Sequence, residues 1–263
     1  MINSILFPDK VRRPSLFWLF TETGRAMTEY SLSLPYRKLL RHVKAGDGHP
    51  VLVVPGFMTT DTSTVALRDF IEQLGYTPYG WEQGRNYAAV ELIDVLAQRL
   101  EDIYQEHGQK VSLIGWSMGG IYARQIAKRY PDYVRQIITL GSPFAGITEP
   151  NNVSWIYNLL TWSRIENVDP WLISDLPKPA PVPTTAVYSK QDGIVPWKVC
   201  REQVVDEWHQ NVQVRGSHLG LGVNPAVMAI VADRLQYDQE SWKGFKAGFL
   251  SQLLFIPTWT KSS

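Results

Sequence analysis

Ser117, Asp192 and His218 have the side-chain types that nucleophilic attack on a carbonyl group requires. Ser117 lies in Gly115-Trp116-Ser117-Met118-Gly119, a G-x-S-x-G pattern between a β-branched run and a helix-like segment. A serine on a tight strand-to-helix turn has its hydroxyl pushed out of the sheet. Its neighbours must be nearly free of side chain for the turn to close. The alternative is a plain strand-to-helix turn with a serine cap.

A serine hydroxyl is inert at neutral pH without a base. Of the five histidines, His42, His49 and His107 precede Ser117, and His209 reads as an exposed helix-terminal residue. His218 follows a predicted strand, among small residues, in a loop able to carry an imidazole over the strand ends; a solvated loop histidine is the alternative. The base needs a carboxylate to hold its tautomer and stabilise the imidazolium. Asp192 follows another predicted strand, with Gly193 and Pro196 turning the chain behind it. An ordinary Asp-Gly turn is the competing reading, and Asp175 and then Asp206 are the other candidate acids. The negative charge of a tetrahedral intermediate needs two backbone donors, each contributing roughly 3 kcal/mol. The amide of Met118 follows the nucleophile directly. The amide of Phe57 follows Pro55-Gly56, which breaks an earlier apolar run and also reads as a simple strand-ending turn.

These residues need a scaffold that gathers strand ends. Apolar β-branched runs at 51–54, 111–114, 134–140, 184–189 and 211–214 read as buried strands. Helical spacing covers 62–74, with Asp61 as N-cap, 88–106 before a stop at Gly108, 118–130, and 224–235 with Pro225 in its first turn. Alternation of this kind predicts an α/β fold, a mostly parallel sheet covered on both faces, with ligands at the carboxyl ends of its strands. The stretch 147–183 holds Trp155, Trp162, Trp171 and many prolines, too long for a simple connection and too aromatic for a linker. It reads as a cap or lid inserted into one core formed by 1–146 and 184–263.

Composition limits the rest. The 263 residues carry a net charge of +1, which gives no argument for a nucleic-acid partner. The lone Cys200 excludes an internal disulfide and a cysteine zinc site, and no metal or organic cofactor is expected. The N-terminal stretch lacks a signal-peptide pattern, and the apolar clusters at 16–20 and 253–257 are too short to span a bilayer. A soluble, cytoplasmic protein is the expectation. The cap tryptophans, Trp155 among them, with Trp116 and Phe144 near the strand ends, have two readings: an apolar acyl pocket, or packing of the cap on the core. Residues 240–255 and the N-terminal stretch 14–27 also have two: an interfacial segment giving peripheral membrane contact, or packing on the protein's own core or in a homodimer. Arg85 and Asn86 follow a short predicted strand and read as a solvated loop, with reach into the cleft as the alternative.

Taken together, "VVPGF", "GWSMGG", "GSPFAG", "SKQDGIVPW" and "GSHLGL" resemble the α/β-hydrolase superfamily, in particular its bacterial lipase and carboxylesterase-like members. The resemblance runs from about Val51 to Leu235 and is specific for fold and triad, not for substrate. It implies an eight-stranded, mostly parallel sheet with a cap after the sixth strand. It also implies Ser117 as nucleophile, Asp192 as acid, His218 as base, and the amides of Phe57 and Met118 as oxyanion hole. Many lipases carry His-Gly where this chain has Pro55-Gly56, but a backbone donor does not depend on that side chain. The expected activity is serine-dependent hydrolysis of small-molecule esters or lipids with apolar acyl groups. Thioester cleavage or acyl transfer by the same triad is an alternative, and a non-catalytic binding protein of the same fold is a rival.

Overall fold

The computed structural model describes residues 11–40, 46–146, 152 and 170–246. Six parallel strands form one sheet: β1 (Pro50–Val54), β2 (Thr77–Tyr79), β3 (Val111–Trp116), β4 (Val134–Leu140), β5 (Thr184–Ser189) and β6 (His209–Val214). Their order is β2-β1-β3-β4-β5-β6. The eight strands implied by resemblance are thus corrected to six among the described residues. The described chain ahead of β1 folds as a helix, α1 (Leu16–Leu40), and the described chain after β6 adds no strand.

Parallel strands need crossovers, here supplied by α2 (Val65–Gln73), α3 (Leu92–His107), α4 (Met118–Arg129) and α5 (Pro170–Asp175), with α6 (Pro225–Arg234) following β6. Successive side chains on a strand face opposite sides, and two cores result. Leu52, Val54, Leu113 and Ile137 pack with α3 and α4 on one face. Val51, Val53, Ile114, Ile138 and Val212 pack with α2 and α6 on the other. Burial on both sides is why these strands read as continuous apolar runs. Gly108 ends α3 in the left-handed conformation, φ 61°. The Asn224 side chain accepts from the Ala226 amide at 2.9 Å to open α6. Asp61, expected as a helix N-cap, instead accepts from the amides of Trp81 and Glu82, both at 2.9 Å, and Thr60 caps the short helical turn there.

The expected cap at 147–183 falls mostly outside the described residues, as do Trp155 and Trp162. Its described end is tied to α4 by Lys128 and Asp175 at 2.9 Å. Residues 241–246 are not helical. Trp242 and Phe245 pack on the protein's own domain: the Arg234 guanidinium lies 4.8 Å from the Trp242 ring, and the Phe245 amide donates to Gln210 at 2.8 Å. Phe249 and Leu253 lie outside the described residues. Among the described residues no helix is long and apolar enough to cross a membrane.

At the amino end of the sheet lies a Ser-His-Asp chain unrelated to the candidate residues. His49 Nε2 meets Ser112 Oγ at 2.8 Å and His49 Nδ1 meets Asp47. Ser112 is fully buried within β3, so the chain is a latch between β1 and β3, with no exposed hydroxyl. Burial first, and the Arg135 guanidinium second, press the His49 pKa down to about 4. The folded-state value lies below the ordinary 6.5, so this stabilising effect is present above pH 6.5 and lost as pH falls towards 4. A drop of that size corresponds to about 3 kcal/mol. Thermal melts should show wild type losing stability between pH 6.5 and 4.5, with a flatter profile for His49→Gln. Parallel profiles would count against the latch.

Candidate active site

The chain runs from β1 outward to β2 and then returns to β3 on the other side of β1. That reversal opens a crevice at the carboxyl ends of β1 and β3, where ligands bind in sheets of this kind. Pro55-Gly56-Phe57 leaves β1 there, and Ser117 leaves β3. Val54 pairs with Gly115, which brings the two loops together. A Cβ on Gly56 would come within 3.2 Å of the Ser117 Cβ.

Ser117 has φ 52° and ψ −120°, a conformation few non-glycine residues adopt. Strain of this kind costs about 1–3 kcal/mol and persists only where the surroundings enforce it. Here the Ser117 amide donates to the Leu140 carbonyl at 2.8 Å, and the Gly120 amide donates to the Ser117 carbonyl at 3.1 Å. Glycines make the turn possible. A Cβ on Gly115 would strike Gly120, and one on Gly119 would strike the Val54 carbonyl.

The expected acid and base, Asp192 and His218, follow the adjacent strands β5 and β6, whose last residues, Ser189 and Val214, pair in register. Asp192 Oδ1 accepts from the amides of Ile194 (2.8 Å) and Val195 (2.7 Å), leaving Oδ2 to meet His218 Nδ1 at 2.6 Å. Both residues are buried. Burial opposes charging of His218, but the Asp192 carboxylate outweighs it and holds the His218 pKa above its ordinary value. Gly141, φ 57°, forms the floor: a Cβ there would lie 3.2 Å from His218 Nδ1 and 3.4 Å from Asp192 Oδ2. The Ser189 hydroxyl joins the two loops, donating to the Gly216 carbonyl at 2.7 Å and accepting from the Gln191 amide at 3.0 Å. Trp116 links the Ser117 turn to the His218 loop, its indole N–H donating to the His218 carbonyl at 3.1 Å.

The loop after β1 is equally fixed. Buried Asn86 donates to the Pro55 carbonyl at 2.9 Å and exchanges further bonds with this stretch through its backbone. Thr59 Oγ1 donates to the Gly56 carbonyl at 2.7 Å. A trans peptide sends its N–H opposite its C=O. The Phe57 amide is therefore directed away from Thr59. Met118, carrying the other expected donor, is the first residue of α4, where amides have no partner within the helix.

The structure brings Ser117, after β3, and the Asp192–His218 pair, after β5 and β6, to the same carboxyl end of the sheet and separates the other candidates. Asp175 serves Lys128, and Asp206 serves His209 at 2.8 Å. His209, expected as an exposed helix end, is buried as the first residue of β6 and meets the Ala180 carbonyl at 2.8 Å. Phe144, expected near an acyl pocket, is 1% exposed, and the Arg124 guanidinium lies 3.8 Å from its ring centre. Trp155 lies outside the described residues. Sequence reasoning does not find Glu22, Ser189 or Gly141, and it sets Asn86 in a solvated loop. A glycine directly after a predicted strand is a usable signal for Gly141, whereas nothing local marks Glu22.

A parallel sheet with a strained serine at its switch point, and a hydrogen-bonded acid–base pair two strands away, defines an α/β-hydrolase. Within that class the chain belongs to the palmitoyl protein thioesterase family, whose profile matches residues 50–213. It is 29% identical over 145 residues to the human lysosomal phospholipase A and acyltransferase, an alignment covering 45% of this chain and 35% of that one. The chain thus spans about a third of that relative's length. It is also 36% identical over 63 residues to the pimeloyl-[acyl-carrier protein] methyl ester esterase of Yersinia pseudotuberculosis, covering 24% of this chain and 23% of the esterase. Among solved structures, Aspergillus fumigatus lipase B aligns with a TM-score of 0.55 at 17% identity, covering 81% of this chain and 58% of the lipase. Bacillus licheniformis lipase BlEst2 aligns with a TM-score of 0.52 at 18% identity, covering 74% and 95%. These likenesses support the fold.

Proposed function

We propose that this protein is a serine hydrolase that cleaves esters and thioesters of apolar acyl groups through an acyl-enzyme on Ser117. The observation that carries the reading is the 2.6 Å contact of His218 with Asp192, in a loop that Trp116 ties to the elbow bearing Ser117. Ser117 Oγ attacks the acyl carbonyl carbon and its proton passes to His218 Nε2. Negative charge gathers on the former carbonyl oxygen, towards which the amides of Phe57 and Met118 are assigned. His218 then protonates the departing alcohol or thiol. Water, deprotonated by His218, attacks the acyl-enzyme and frees the acid and Ser117. No step calls on a metal or an organic cofactor.

Family membership points to acyl thioesters, and the names of the relatives to phospholipid and methyl esters. Acyl transfer is the same chemistry with an alcohol in place of water at the second step. Peripheral membrane contact is assigned to α1, whose Phe17, Phe20, Met27 and Leu34 side chains are exposed. The test is a rate series over p-nitrophenyl esters and acyl thioesters of increasing chain length. The expected result is Ser117-dependent turnover that rises with acyl length. A sharp optimum at acetate would contradict the apolar acyl preference, and turnover independent of Ser117 would contradict the mechanism.

A further inference from the structure

We infer that Glu22, on the helix ahead of the family-matched region, is a positioning residue that sets the geometry and charge of the His218–Asp192 pair. The inference rests on the serine-hydrolase reading above. Glu22 is 3% exposed on α1 and its carboxylate spans both catalytic loops. Oε1 accepts from the amide of Gly193, the residue after Asp192, at 2.8 Å, and from the amide of His218 at 3.1 Å. Oε2 accepts from the amide of Leu219 at 2.9 Å. Arg25, one turn on, donates to Oε1 at 2.9 Å and fixes the carboxylate's orientation.

Seven residues on, and so on the same helix face, Glu29 accepts from the Ser217 amide at 2.8 Å. The consecutive amides of Ser217, His218 and Leu219 therefore all end on carboxylates of α1. Charge-assisted bonds of this kind are roughly twice as strong as neutral ones, and an irregular loop has no ladder of its own to satisfy those amides. Approach is close at the other loop too. A Cβ on Gly193 would lie 2.6 Å from the Trp18 carbonyl oxygen, so glycine at 193 is what lets α1 sit there.

The arrangement has an electrostatic consequence. The charged groups at the base loop include Asp192, Glu22 beside the His218 amide, Arg25 beside Glu22, Glu29 at Ser217, and the exposed Arg215 on the loop itself. Cys200, near Asp192, is a buried thiol whose pKa burial pushes up, so it stays neutral. Glu22 is a second anion favouring the imidazolium, after Asp192. Removing its charge lowers the His218 pKa, whereas a purely structural staple would leave it in place.

The test is Glu22→Gln, followed by 15N-histidine NMR titration of His218 and by kcat and KM against pH. The control is Glu72→Gln, which removes one negative charge at an exposed position of α2. The expected result for Glu22→Gln is a His218 titration and an acid limb about one pH unit lower. kcat should fall about 10- to 100-fold with little change in KM, and the control should behave as wild type. Glu22→Asp keeps the charge on a shorter arm, so its kcat should fall with the acid limb nearly unmoved. Should Glu22→Gln not fold, an acid limb in Glu22→Asp that moves as far as its rate falls would overturn the charge assignment. A wild-type titration and kcat in Glu22→Gln would overturn the inference as a whole. The NMR titration needs no turnover, so it separates this outcome from failure of the serine-hydrolase reading, which would show itself as wild type lacking Ser117-dependent phosphonate labelling.

Discussion

Ser117→Ala should lower kcat by about six orders of magnitude, the loss found when the serine of such a triad is removed elsewhere. Alanine keeps the small volume that the turn between Gly115 and Gly119 demands, so the fold should survive. The positive φ at 117 remains for alanine, and the strain stays in the native state with no compensating gain. A melting temperature close to wild type is therefore expected with activity lost. What remains would be the acceleration due to the amide donors and substrate binding alone, about 10³-fold over water. Progress curves on an activated ester, run beside thermal melts, check both halves. Activity lost together with the fold would leave Ser117 a structural residue.

The second large effect is expected for Asp192→Asn. The two amides of Ile194 and Val195 that bind Oδ1 will still demand an acceptor, which forces the new amide nitrogen into the place of Oδ2. It then faces His218 Nδ1 as a donor, and the ring must present Nδ1 as acceptor and carry its proton on Nε2. That tautomer cannot take the proton of Ser117, and the expected loss in kcat is about 10⁴-fold. The imidazolium also loses its principal partner. In wild type the rate should rise with pH through the His218 pKa, which Asp192 holds above 6.5. In Asp192→Asn the remaining acid limb should move to lower pH, because the neutral ring is no longer penalised. A pH–rate profile of each protein tests the sign, and an unmoved limb would remove Asp192 from the acid role.

Legibility follows the physics of burial. The runs at 51–54 and 134–140 are readable because both sides of those strands are covered, so most residues on them are apolar. The three-residue β2, with Pro78 at its centre and half-buried throughout, carries almost no periodic signal. α1 is hidden for the opposite reason. Its inward positions include Glu22 and Ser33, while Phe20 is 82% exposed. The usual rule that the apolar stripe faces the core therefore points the wrong way round the helix. Asp192 is legible because it follows a strand and precedes a glycine. Glu22, far away in the chain, meets the same loop only in three dimensions. His209 reads as a helix end because "DEWH" is a helix-compatible string, yet Asp206 there caps the start of a strand.

A fluorophosphonate reacts readily with a serine activated by a base and an oxyanion hole, which makes it the most direct probe of the site. Peptide mass spectrometry of the labelled wild-type protein should find one phosphonyl group on the peptide carrying Ser117, and none on Ser117→Ala. A phosphonyl group on another residue, or labelling that survives the substitution, would contradict the account.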